Sequence, residues 1–109
     1  VSSSWRWYVE HCLRELGMYE DAAVIVTGSD GLPLKPAPAP YQAAARVFRP
    51  APPGAVLAVE DSGSGVRSAV AAGLACAAVY NPDSGAQDLS PARWRLNSLY
   101  ELPALLDGN

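Results

Sequence analysis

The sequence predicts an α/β fold. Helical stripes of apolar residues alternate with short, wholly apolar runs rich in β-branched side chains. Glycines and prolines stand at nearly every boundary between them. The resulting order is helix, strand, helix, strand, helix, strand, helix, an alternation that favours parallel strands joined by right-handed crossovers. With 109 residues and 11.4 kDa, the chain makes one small domain.

From residue 5 to residue 16, Trp5, Tyr8, Val9, Cys12, Leu13 and Leu16 recur at steps of three and four. This is a helical stripe, with Ser4 as its expected cap and Gly17 as its stop. Ala23, Val24, Ile25 and Val26 form a continuous apolar run before Thr27-Gly28-Ser29-Asp30 and read as a buried parallel strand. Residues 31–40 hold four prolines and form a rigid extended loop, and Pro40 opens a helix over 41–48. A second proline turn leads into a strand over 55–59. Residues 61–65 then read as a glycine-rich turn, 66–72 as a helix ending at Gly73, and 75–80 as a strand. Residues 81–96 read as loop, including Trp94 between Arg93 and Arg95, and a last helix spans 99–106.

Composition narrows the function. Half the residues are hydrophobic and 17% are charged, which provides for a packed core and argues against a disordered chain. The net charge of −3 leaves no basic face for phosphate backbones, so no nucleic-acid partner is expected. No apolar run approaches the ~20 residues of a membrane span, and no leader pattern opens the chain. Cys12 and Cys76 are too few for a disulfide scaffold and lack metal-ligand spacing. Free thiols in a reducing, cytoplasmic setting are the expectation.

Three local signals point to chemistry. Glu60-Asp61 stand where an apolar strand ends and a glycine-rich segment begins, a point that faces the ligand crevice of a parallel sheet. Adjacent carboxylates repel, and a hard cation such as Mg²⁺, shared with a substrate phosphate, relieves the repulsion. Gly63-Ser64-Gly65 with Ser68 echoes a dinucleotide fingerprint, but the third glycine is missing and the acidic pair would repel a pyrophosphate. Lys35, the one lysine beside seven arginines, lies in Lys35-Pro36-Ala37-Pro38, where the prolines fix the direction of its ammonium group. Ser2-Ser3-Ser4, if Val1 ends a strand, offers a hydroxyl and backbone N–H groups to a phosphate oxygen. His11, the single histidine, sits on a helix without the arrangement of a Ser-His-Asp hydrolase.

In this order and spacing, the three signals resemble the second, third and fourth motifs of the haloacid dehalogenase superfamily. The likeness is closest to its beta-phosphoglucomutase-like phosphatase subgroup and covers about residues 1–82. Ser2-Ser3-Ser4 with Leu16-Gly17 look like the serine motif. Thr27-Gly28 and Lys35-Pro36-Ala37-Pro38 with Tyr41 look like the lysine motif, and Glu60-Asp61-Ser62 with Gly65 and Ala71-Ala72-Gly73 look like the acidic motif.

The resemblance implies a Rossmann-like three-layer parallel sheet and a phosphatase or phosphomutase acting on a small phosphorylated metabolite through an aspartyl-phosphate. It implies that Ser2 and the Ser3 amide hold phosphoryl oxygens and that Lys35 bridges nucleophile and phosphate. It further implies that Asp61 binds Mg²⁺ and that Glu60 binds the ion or its waters.

Two family features are missing: no Asp-x-Asp occurs, and no cap domain lies between motifs. Ala39 also stands where the subgroup usually has Asp. The expectation is therefore that residues 1–109 are the carboxyl-terminal part of a catalytic core domain, inactive until a preceding segment or another chain completes the sheet. A non-enzymatic interaction module of the same fold is the alternative. A nucleotide-dependent oxidoreductase is the remaining reading.

Overall fold

The computed structural model describes residues 1–107. Its centre is a three-stranded parallel sheet of β1 (Leu57–Glu60), β2 (Ala75–Val79) and β3 (Trp94–Leu96), in that spatial order. The register pairs Leu57 with Ala75 and Glu60 with Ala78 on one side, and Ala77 with Trp94 on the other. Only β2 has a partner on both edges, and its run Ala75-Cys76-Ala77-Ala78-Val79 has no polar alternation, as befits a strand covered on both faces.

Among the described residues, four α-helices accompany the sheet: α1 (Arg6–Glu15), α2 (Ala39–Ala45), α3 (Gly63–Ala71) and α4 (Leu102–Asp107). Helix α3 packs on β1 and β2, and α2 packs on α3. Tyr41, Ala58, Val66, Ala69, Leu74, Cys76, Ala78 and Ala92 form the core, most of them small enough for helix and sheet to approach closely. Burial first, and the charge of Glu60 second, push the Cys76 thiol up to about 11, so it stays protonated at neutral pH.

Both α1 and α3 end in the same way. Gly17 (φ +69°) and Gly73 (φ +83°) adopt the left-handed conformation that a side chain resists. Around them, Met18 N donates to Leu13 O and Gly17 N to Arg14 O, while Leu74 N donates to Ala69 O and Gly73 N to Val70 O. These bonds satisfy carbonyls the helix leaves free.

The structure departs from the sequence reading at several points; the second helix spans Ala39–Ala45 rather than 41–48, and β1 spans Leu57–Glu60 rather than 55–59. Residues 23–26 pair with no strand of the sheet; Ser2 N donates to Val26 O and Gly28 N to Ser4 O, so this segment runs beside the amino terminus instead. An apolar groove of about 290 Å³, lined by Ala23, Val24, Tyr41, Phe48, Val59 and Leu74 among others, lies along the unpaired edge of β1. Residues 94–96, read as loop, form β3. Trp94 and Leu96 are half-buried while Arg95 points outward, and three residues are too few for that alternation to stand out. Helix α3 begins at Gly63 rather than Val66 because the Ser62 side chain accepts from Gly65 N and caps it. Ser4 does not cap α1. Trp5 holds the cap position, and Ser29 Oγ accepts from Arg6 N at 2.9 Å in its place.

Candidate functional site

The carboxyl ends of β1 and β2, the lysine loop and the amino terminus enclose a cleft of about 870 Å³. Ser2, Ser3, Lys35, Glu60 and Asp61, scattered through the chain, all line it. His11 is exposed on α1 and lies away from this cleft.

Glu60, the last residue of β1, is buried. Lys35 Nζ donates to Glu60 Oε2 at 2.7 Å, with both side chains less than a tenth exposed, and also donates to Val1 O at 3.1 Å. The Tyr41 hydroxyl donates to the same Oε2. Burial, and then the hydrogen bond to Glu60, hold the Tyr41 phenol far above its ordinary value, so it remains a donor. The Lys35 ammonium also lies 5.4 Å from the centre of the Tyr41 ring. A β-carbon at Gly65 would collide with the Glu60 carboxyl group, so only glycine lets the first turn of α3 pass this close.

The lysine loop has its own anchor. Ser68, fully buried on α3, donates through Oγ to Ala37 O at 2.6 Å. This bond ties the loop to the helix although Ala39 offers no side-chain acceptor there. On the opposite wall, Ser2 Oγ accepts from Ser4 N at 3.1 Å, and the Ser3 carbonyl packs where a β-carbon of Gly28 would be, which makes Gly28 obligatory.

Asp61 is exposed at the start of the turn. Its Oδ2 accepts from Asn81 Nδ2 at 3.0 Å and from Ser84 Oγ at 3.3 Å. Next to it, Gln87 Oε1 accepts from Gly63 N at 2.8 Å, and Gln87 Nε2 donates to Ser84 O at 2.9 Å. Asn81, Ser84 and Gln87 lie in the segment read only as loop. Their one sequence signal is the Asn81-Pro82 turn immediately after β2. Among the described residues, no cluster of three or more His, Cys, Asp or Glu side chains could by itself enclose a metal ion.

The model of the haloacid dehalogenase-like hydrolases matches residues 2–73, well over half of the chain. The chain belongs to this family. The haloacid dehalogenase-like chain is 36% identical over 108 residues to YhcW of Bacillus subtilis, named as a candidate phosphatase, and covers 97% of itself and 48% of that protein. CbbY of Rhodobacter sphaeroides, solved with xylulose-(1,5)-bisphosphate and with phosphate, is similar at a TM-score of 0.83 and 31% identity, over 92% of this chain and 45% of CbbY. A haloacid dehalogenase phosphatase from Thermococcus onnurineus follows at a TM-score of 0.77 and 27% identity, over 98% of this chain and 49% of that one. The chain thus spans about half the length of the relatives it matches. Its parallel sheet with flanking helices is the corresponding part of the Rossmann-like core. No described helix of this haloacid dehalogenase-like chain is long and apolar enough to cross a membrane.

Proposed function

We propose that these residues form one wall of the active site of a Mg²⁺-dependent phosphatase or phosphomutase acting on a small phosphorylated metabolite. One observation carries this reading: a buried ammonium, Lys35, held by Glu60, faces a cleft that also receives Ser2 and Asp61. A fixed positive charge with little solvent around it stabilises a phosphoryl group best where charge gathers during transfer. The Ser2 hydroxyl and the Ser3 amide would take two phosphoryl oxygens, and Lys35 would take a third.

The donor set suits a hard cation. Asp61 is an exposed carboxylate whose Oδ1 meets no donor among the described residues, and Glu60 stands beside it with Oε2 already engaged. Magnesium takes one or two carboxylates and keeps several waters, so it needs no cage of three side chains. Asp61 would hold the ion directly and Glu60 would reach it or its waters. When bound, Mg²⁺ would neutralise charge on the phosphate.

The nucleophilic carboxylate that would carry the aspartyl-phosphate is assigned to a segment outside these 109 residues. That segment would enter as a strand along the free edge of β1, where the apolar groove lies beside unpaired backbone. The free thiols Cys12 and Cys76 and the acidic balance favour a cytoplasmic protein without nucleic-acid or membrane partners.

In the full-length protein, Lys35→Ala and Asp61→Asn should each reduce turnover of phosphate monoesters by about 10²–10³-fold, and residues 1–109 alone should show none. Unchanged rates in either variant would favour the interaction module, and turnover by the isolated chain would refute the need for a completing segment.

A further inference from the structure

We infer that Asn81 is a positioning residue for Asp61: its amide holds one carboxylate oxygen so that the other is presented to a divalent cation. The inference rests on the reading of Asp61 as a metal ligand. Both ends of the Asn81 amide are engaged. Oδ1 accepts from Asp83 N at 3.0 Å and caps the short turn Pro82–Ser84, while Nδ2 donates to Asp61 Oδ2 at 3.0 Å. With Oδ1 committed as an acceptor, only the NH₂ end can face Asp61, so the direction of the amide is fixed by its neighbours.

The turn that Asn81 caps delivers Ser84 Oγ to the same Oδ2, and Gln87 ties this segment to Gly63 N, two residues beyond Asp61. Asp61 is exposed and, among the described residues, has no basic side chain bonded to it. Two neutral donors on one oxygen fix the direction of the carboxylate while leaving its charge uncompensated, as a ligand to a cation requires. Partners of this kind orient metal-binding carboxylates, and losing one typically costs about 10–100-fold in metal affinity.

The test is Asn81→Ser in the full-length protein, with Asp61→Asn alongside. Serine keeps an acceptor for the Asp83 amide, so the turn retains its cap, but its side chain is too short to reach Asp61. Mg²⁺ affinity is read directly by isothermal titration calorimetry, and the melting temperature is measured without metal. Asn81→Ser should weaken Mg²⁺ binding by about 10-fold or more with the metal-free melting temperature unchanged, and Asp61→Asn should weaken it further. Wild-type affinity in Asn81→Ser beside lost binding in Asp61→Asn would overturn the role of Asn81 alone. Wild-type affinity in both variants would overturn the assignment of Asp61 beneath it. A lowered metal-free melting temperature together with unchanged affinity would reduce Asn81 to a cap.

Discussion

Helices α1 and α3 are 10 and 9 residues long, and both stop at a left-handed glycine with the same pair of closing hydrogen bonds. Their surroundings differ completely. In α3, Val66 and Ala69 have no exposed surface and meet β1, β2 and α2. In α1 no residue is buried, and Trp7 together with the flanking Trp5 and Leu16 are each about two-thirds exposed or more. A hydrophobic stripe is an offer of a contact face, and only a neighbour turns the offer into stability. Helix α3 has such neighbours in β1, β2 and α2, whereas no described element buries a residue of α1.

The largest test of this contrast compares Val66→Asp with Leu16→Asp in residues 1–109. The first places an unpaired carboxylate in the core and should cost about 3–5 kcal/mol, enough to unfold a small domain. The second should change stability by less than about 0.5 kcal/mol. Urea midpoints would measure both, and a comparable loss at Leu16 would mean that α1 is covered in solution, erasing the contrast.

A smaller effect separates two glycines. Gly65→Ala gains helix propensity but drives a methyl group into the Glu60 carboxyl, for a net loss of about 1–3 kcal/mol. Gly17→Ala meets open space and loses only about 1 kcal/mol, the cost of its positive φ. In a double-mutant cycle, Gly65→Ala should cost less in a Glu60→Ala background than in the wild-type background, which would sharpen the assignment to that collision. An equal cost in both backgrounds would count against it.

The same contrast explains which parts of the molecule can be read from sequence. The runs at β1 and β2 are strands in the structure because their partners are each other. Residues 23–26 have an equally apolar pattern and form no strand, since a strand is a property of a pair and none of the described strands pairs with them. Charged site residues are conspicuous: a carboxylate pair ending an apolar strand, and a single lysine between prolines, stand out against their surroundings. Ser68, Asn81 and Gln87 do not. They are neutral, and what they do depends on partners 20 to 31 positions away, which no local pattern encodes. Gly65 looks like turn punctuation in the sequence, whereas its reason is the side chain of Glu60.

The smallest expected effect concerns how α1 is held at all. Its first turn is tethered to residues 25–30 by polar contacts rather than by packing. Arg6 Nη2 donates to Ile25 O at 2.8 Å and to both oxygens of Asp30, Asp30 Oδ2 accepts from Thr27 N at 2.8 Å, and Ser29 Oγ accepts from Arg6 N. The Thr27 amide first, and Arg6 second, hold the Asp30 carboxyl below its ordinary 3.8. A lowered value in the folded state means that the contribution is complete above 3.8 and is lost as pH falls through the lowered value. Acid should therefore loosen α1 before α3, whose Val66 and Ala69 are held by the buried core cluster rather than by a solvent-exposed ion pair. The effect is modest because the pair is exposed and screened by solvent. Amide hydrogen exchange, corrected for its intrinsic pH dependence, should show protection in α1 falling below pH 3.8 while that in α3 persists, and Asp30→Asn should remove the acid-dependent step. If α1 and α3 lose protection together through one window, the tether and the core belong to a single cooperative unit, and the two halves of the chain are less independent than their burial implies.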